Sequence, residues 1–179
     1  MKKVILGLLT AILLVGCTDL SNTPTKKVEA FLKKYQSLDH AVLTDLDGVI
    51  EQEGIFNEAQ KKEYRDIMKK HYQNLTYDIK GETIDGDNAV VTVEIVVTDF
   101  KRVLDEARNY LQANPEEFKD ETGEHNASAF TDYRLKKMKE AKETITYTLY
   151  ISLTQTNEQW NIDKLDTITY DKINGVYNY

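Results

Sequence analysis

Apolar positions along this chain recur at two different spacings, and the switches between them mark out helices and strand pairs. Val28, Phe31, Leu32, Tyr35 and Leu38 fall three and four residues apart, which predicts an amphipathic helix from Lys26 to Ser37. After a break at Ser37 to Asp39, Val42, Leu43, Leu46, Val49 and Ile50 resume the helical spacing. Asn57 followed by Gln60 resembles a capping box opening a third helix, whose apolar stripe is Tyr64, Ile67, Met68, His71 and Leu75. The period then changes to two. Leu75, Tyr77 and Ile79 alternate with polar residues, Asp85-Gly86-Asp87-Asn88 forms a turn, and Ala89, Val91, Val93, Ile95 and Val97 alternate on the returning strand. One face of this hairpin is dry. Val90 and Val96 make its opposite face partly apolar as well, which predicts partial cover on that side.

Helical spacing returns with Phe100, Val103, Leu104, Ala107, Tyr110 and Leu111, and Asn114-Pro115 ends that helix and starts a short successor. Asn126 is placed to cap a further helix carrying Phe130, Tyr133, Met138 and Ala141 and ending near Glu143. Ile145, Tyr147, Leu149, Ile151 and Leu153 then alternate strictly with polar residues, and Asn157-Glu158 turns this strand into a partner containing Trp160 and Ile162. Thr167 to Tyr179 reads as a short closing helix stopped by Gly175. The fold class is therefore α+β, one domain over 26–179, with N-terminal helices packed on an antiparallel sheet of two hairpins and a helical insert between them.

The N-terminus follows a different rule. Lys2 and Lys3 precede an apolar run from Val4 to Val15, too short to cross a hydrocarbon core of ~30 Å. Leu14-Val15-Gly16-Cys17 closes it and resembles the lipobox of bacterial lipoproteins. That resemblance implies a signal peptide over 1–16, a diacylated Cys17 bearing palmitate-type chains, a tether over 17–25, and residence on the extracytoplasmic face of the cell membrane. Cys17 is the only cysteine, so its acylation excludes disulfides, zinc thiolates and cysteine nucleophiles from the rest. The chain of 179 residues carries 23 basic and 30 acidic side chains. Losing Lys2 and Lys3 with the leader deepens the negative balance, which argues against nucleic acid as a partner and leaves the lipid as the membrane contact.

The order of helices, hairpin, helices, hairpin resembles the nuclear-transport-factor-two-like superfamily, the cone-shaped fold shared by ketosteroid isomerases. Pro24 to Glu29 with Phe31-Leu32, Tyr72 to Tyr77, Ala89 to Val93 and the Trp160 strand look like lipoproteins of that superfamily from low-GC Gram-positive bacteria. The stretch Phe100 to Glu143 is longer than the compact superfamily pattern. Isomerase chemistry on this fold needs a carboxylate base and an oxyanion donor inside the cone. The inward lists contain Tyr77 and Tyr147 but no interior carboxylate; Asp99, in the inward register, reads as the cap of the following helix. Tyr77, Tyr147 and Trp160 either line a small pocket or fill the core with their polar tips at its rim.

Ala41 to Ile50, with Asp45 and Asp47, looks like the first motif of haloacid-dehalogenase phosphatases. In that chemistry Asp45 is the nucleophile at the end of a central parallel strand and Asp47 the acid/base, followed by a lysine and a metal-binding aspartate pair. Hairpins follow here instead, and Leu43, Leu46 and Ile50 keep helical spacing through the motif. His40, His71 and His125 have no ligand spacing and read as surface or interface residues rather than metal ligands. The expectation is thus a non-catalytic, membrane-tethered binding or interaction module needing no cofactor. Its partner is a protein, peptide or small ligand, and the face carrying Thr144, Thr146, Thr148 and Tyr150 suits either water or a polar homodimer contact. An isomerase or hydratase using the cone is the alternative, and a hydrolase through Asp45 and Asp47 the third.

Overall fold

The computed structural model describes residues 22–52 and 54–178; the signal peptide expected over 1–16, Cys17 and the expected tether as far as residue 21 lie outside the described residues. Among the described residues no helix is long and apolar enough to cross a membrane. The expected tether over 17–25 ends sooner than its composition suggested. Thr23 caps α1 (Pro24–Gln36), its side-chain oxygen accepting from the Lys26 amide at 3.2 Å, and Pro24 occupies the first turn, where a missing N–H costs nothing. Just before the cap, Asn22 Oδ1 accepts from the Trp160 amide at 3.1 Å, so residues ahead of α1 already contact the sheet.

α2 (His40–Gln52) follows α1 after Leu38, which turns the chain with φ of 56°. α3 (Glu58–Asn74) opens on the expected capping box: Gln60 N–H donates to Asn57 Oδ1, and Asn57 N–H donates to Gln60 Oε1, both at 3.0 Å. Gln60 also reaches a later helix, donating from Nε2 to Asp132 Oδ1 at 2.7 Å and to the Ser128 carbonyl at 3.1 Å. Asn57→Ala is therefore expected to lower stability by about 1 kcal/mol. Gln60→Ala, which loses the cap, a buried side chain and the link across helices, should cost about 2 kcal/mol or more. Urea unfolding of the two variants tests this, and equal losses would mean that the inter-helix link contributes nothing.

The sheet is one antiparallel meander, β1 (Thr76–Asp85), β2 (Asn88–Thr98), β3 (Thr144–Thr156) and β4 (Gln159–Ile162), paired in that order. Val91 faces Ile151, Val93 faces Leu149 and Ile95 faces Tyr147, and these side chains form one apolar face closed by Val28 and Leu32 of α1 and by Met68 and Leu75 around α3. Burial of so continuous a surface is the main driving term for the fold. Both hairpin turns follow from local chemistry: Gly86 takes φ of +58°, and Asn157 and Glu158 take φ of 51° and 62°. A bulge near Lys80 shifts the register between Ile79 and Gly81 and turns Glu82 to the same side as its partner Val91. Glu82 Oε2 there accepts from the Thr25 amide at 2.8 Å and from Thr25 Oγ1 at 2.7 Å, placing a carboxylate on the N-terminus of α1.

Between the hairpins run α4 (Phe100–Ala113), a 3-10 turn (Pro115–Phe118) and α5 (Ala127–Glu140). Asp99 caps α4 through the Arg102 amide at 3.0 Å, and Asn126 caps α5 through Ala129 at 2.9 Å, as their positions predict. α5 stops at Glu140, short of the expected Glu143, because the backbone of Ala141 is already extended. This insert packs its own aromatic cluster: Tyr110 stacks on Tyr133 at 5.0 Å, and Phe118 meets Phe130 and Tyr133 edge to face. α6 (Thr167–Ile173) is the last helix among the described residues, with Asp166 capping it through the Thr169 amide at 2.7 Å. The outer sheet face stays open. Val90 is 39% exposed and Tyr150 68%, so none of the described residues supplies the cover expected over Val90.

Candidate functional site

The residues singled out in the sequence do not converge on a site. Tyr77 and Tyr147 flank Ile95 in one cross-strand row, whereas Trp160 pairs with Gln155 at the far end of the sheet. Tyr147 and Trp160 are buried members of the core, Tyr77 is half-buried against it, and none of the three lines the clefts described below. Asp45 and Asp47 sit within α2, where no strand end exists to present them. Asp47 is held by Arg65, whose Nε and Nη2 donate at 2.6 and 3.1 Å, and this guanidinium keeps its carboxyl below the usual carboxylate range.

A cleft of about 500 Å³ lies where α3 meets the C-terminal end of α5 and the β2–α4 junction. α3 supplies one wall because Lys62, Asp66, Lys70 and Asn74 repeat every four residues, with Glu63, Ile67 and His71 alongside. Ile67, Phe100, Met138 and Ala141 make an apolar floor. Three lysines and two carboxylates stand around it, and Lys139 Nζ donates to Glu63 Oε1 at 3.0 Å, joining α5 to α3. Lys62, Asp66, Lys70 and Lys139 are exposed, so their fields are weakened by water. That combination suits holding a molecule with an apolar body and charged ends better than stabilising a transition state, which needs water-excluded groups.

His71 is the ionisable group at the base of this cleft. Contrary to the surface or interface role expected of it, the side chain is 2% exposed. Its ring stacks on Phe100 at 4.8 Å, and its Nε2 is 2.8 Å from the Ile173 carbonyl, an arrangement that makes Nε2 the protonated nitrogen. Nδ1 is sealed from solvent and has no hydrogen-bond partner among the described residues. Burial pushes the imidazole down to about 4, only partly offset by the Ile173 contact. His71 thus ties α3 to the C-terminal segment and offers the cleft neither nitrogen as a base. Gly175 completes the contact with φ of +70°, and the Lys101 amide donates to its carbonyl at 2.8 Å.

Sequence reasoning missed this cleft, although the four-residue repeat of charged positions on α3 was the signal that could have found it. The other wall comes from Thr98 and Phe100 and from Met138, Lys139 and Ala141, which no local pattern links to α3.

No protein-family model matches the chain, and no curated protein matches its sequence. Among solved structures it is similar to the crystal structure of a "putative lipoprotein (ycdA)" from Bacillus subtilis, at 15% identity and a TM-score of 0.45. The likeness covers 76% of this chain and 45% of that one, so the chain spans less than half the length of that relative.

Proposed function

We propose that this chain is a lipid-anchored, extracytoplasmic binding module of nuclear-transport-factor-two-like fold, whose ligand seat is the cleft between α3, α5 and the start of α4. The single observation that carries the binding reading is the composition of that cleft, an apolar floor within a ring of exposed charges of both signs. The address is supported by the leader ending in Gly16-Cys17, and the fold assignment by a meander sheet wrapped on leading helices with a helical insert. Catalysis through the cone receives no comparable support: His71 is closed off, and the inner sheet face is filled by Ile95, Tyr147, Leu149 and Ile151.

Two measurements test the parts separately. In cells grown on labelled palmitate, the wild type should carry label and Cys17→Ser should not; label kept by the variant overturns the anchor. Ala141 is half-buried at the cleft wall, and Ala141→Trp fills part of the space without touching the sheet. Mass spectrometry of small molecules retained by protein extracted from its own membranes should detect a bound species in the wild type. The same species should fall at least about tenfold in Ala141→Trp, as expected for a ligand losing ~1.4 kcal/mol of contact. Identical retention by both proteins overturns the cleft as the seat.

A further inference from the structure

A second cleft, about 360 Å³, opens on the other side of α3, between α1, α2 and α6, and its chemistry is the reverse of the first. Four tyrosines wall it: Tyr35 from α1, Tyr64 and Tyr72 from α3, and Tyr170 from α6. The charged group in its lining is Asp45, and no lysine or arginine is among the described residues that line it. Asp45 is exposed and forms no ion pair among the described residues, in contrast to Asp47 two positions on, which Arg65 occupies. Of the two carboxylates in the phosphatase-like motif, the one without an ion pair among the described residues is therefore the one that borders an aromatic cleft.

The rings are held by contacts with one another and with Phe31 and Phe56 behind them. Tyr35 and Tyr72 meet edge to face at 5.1 Å, Phe31 supports Tyr35 at 5.4 Å, and Phe56 lies against Tyr64 at 5.3 Å. The Tyr72 hydroxyl donates to Asn174 Oδ1 at 2.9 Å, so its proton is engaged and its oxygen is left as an acceptor. Tyr170 is 43% exposed and forms the open edge. Burial first, then the neighbouring phenols and last the Asp45 carboxylate push the Tyr35 and Tyr72 phenols well above their usual range, so Asp45 lies near enough to act on both rings. Aromatic faces and phenol oxygens attract cations, and an unpaired carboxylate beside them adds charge attraction in a partly dry space. A metal ion would find one carboxylate and too few oxygens; an organic cation finds apolar walls as well.

We propose that the cleft bordered by Tyr35, Tyr64, Tyr72, Tyr170 and Asp45 binds a small organic ammonium ion. This site is separate from the α3–α5 cleft and does not depend on the reading given to that one. The cation inserts its alkylated nitrogen among the rings, with Asp45 balancing its charge from the rim.

The test titrates the full chain, purified in dodecyl maltoside, with choline and with 3,3-dimethylbutanol, its uncharged carbon counterpart, following tyrosine ring signals by NMR. Choline should shift ring signals saturably, and the alcohol should bind at least about tenfold more weakly. Asp45→Asn, an exposed helix position whose fold is checked by circular dichroism, should weaken choline about tenfold, and Tyr170→Ala about threefold or more. Glu121→Gln, exposed and outside both clefts, should leave choline binding unchanged. A short-chain phosphatidylcholine below its micelle concentration distinguishes the source: tighter binding than choline assigns the site to lipid headgroups, equal binding to free solutes. Equal binding of choline and the alcohol overturns the proposal, as does unchanged affinity in folded Asp45→Asn.

Discussion

Gly175→Ala is expected to destabilise the protein more than any other single methyl addition, by roughly 3–5 kcal/mol. A Cβ built at this position would lie 2.1 Å from the Thr98 carbonyl oxygen and 3.1 Å from His71 Cε1, and the backbone adopts φ of +70°, which side-chain-bearing residues rarely take. The first conflict is with main chain at the end of the central strand, so no rotamer change relieves it. The tail must move, and moving it pulls on the Lys101 to Gly175 hydrogen bond and the neighbouring His71 to Ile173 contact. Gly86→Ala is the matched control, since Gly86 has φ of +58° but open space around its Cβ position, and its cost should stay near 1–2 kcal/mol. Urea unfolding of both variants decides the matter. Equal losses would show that only the backbone angle matters and that the tail is loosely held.

The second large effect is a loss of stability on mild acidification that is traceable to His71. An unfolded histidine titrates near 6.5, whereas burial pushes the folded His71 down to about 4. The unfolded chain therefore binds the proton first. Stability is complete above about pH 6.5, falls as pH drops from there to about 4, and levels off below, for a total of about 3 kcal/mol from this group. Protonation in place would put a second N–H on a nitrogen that has no acceptor among the described residues. His71→Phe keeps a ring against Phe100 but removes the titration, at a cost of about 1–2 kcal/mol at pH 7.5 for leaving the Ile173 carbonyl unbonded. Subtracting its stability profile from that of the wild type should isolate a step between pH 6.5 and 4. Parallel profiles for the two proteins would mean that His71 titrates normally in the fold.

Most of the elements were legible because their signals are local. A cap and its amide lie three residues apart, as with Asn57 and Gln60 or Asp99 and Arg102, and an alternating strand such as Ile145 to Leu153 declares its buried face without reference to its partner. Errors arose where a distant partner decided. Thr25 looked like tether because its ligand, Glu82, reaches it only through a bulge in another element. His71 fell on the apolar stripe of α3, yet its burial depends on Phe100 and Ile173, which arrive from other parts of the chain. Asp45 and Asp47 looked alike in the motif, and only the approach of Arg65 to one of them set them apart.

By itself the sequence determined the class of fold, the single thiol at Cys17, the caps, the turns and the dry face of the sheet, since each depends on residue type and short spacing. Tertiary structure alone decided where space remains. Tyr77, Tyr147 and Trp160 were absorbed into or against the core, while clefts opened on two sides of α3, one ringed by lysines and carboxylates and one by tyrosines and Asp45. A cavity is what packing leaves unfilled between surfaces far apart in the chain, and its position depends on how whole helices meet, which no short pattern of residues encodes.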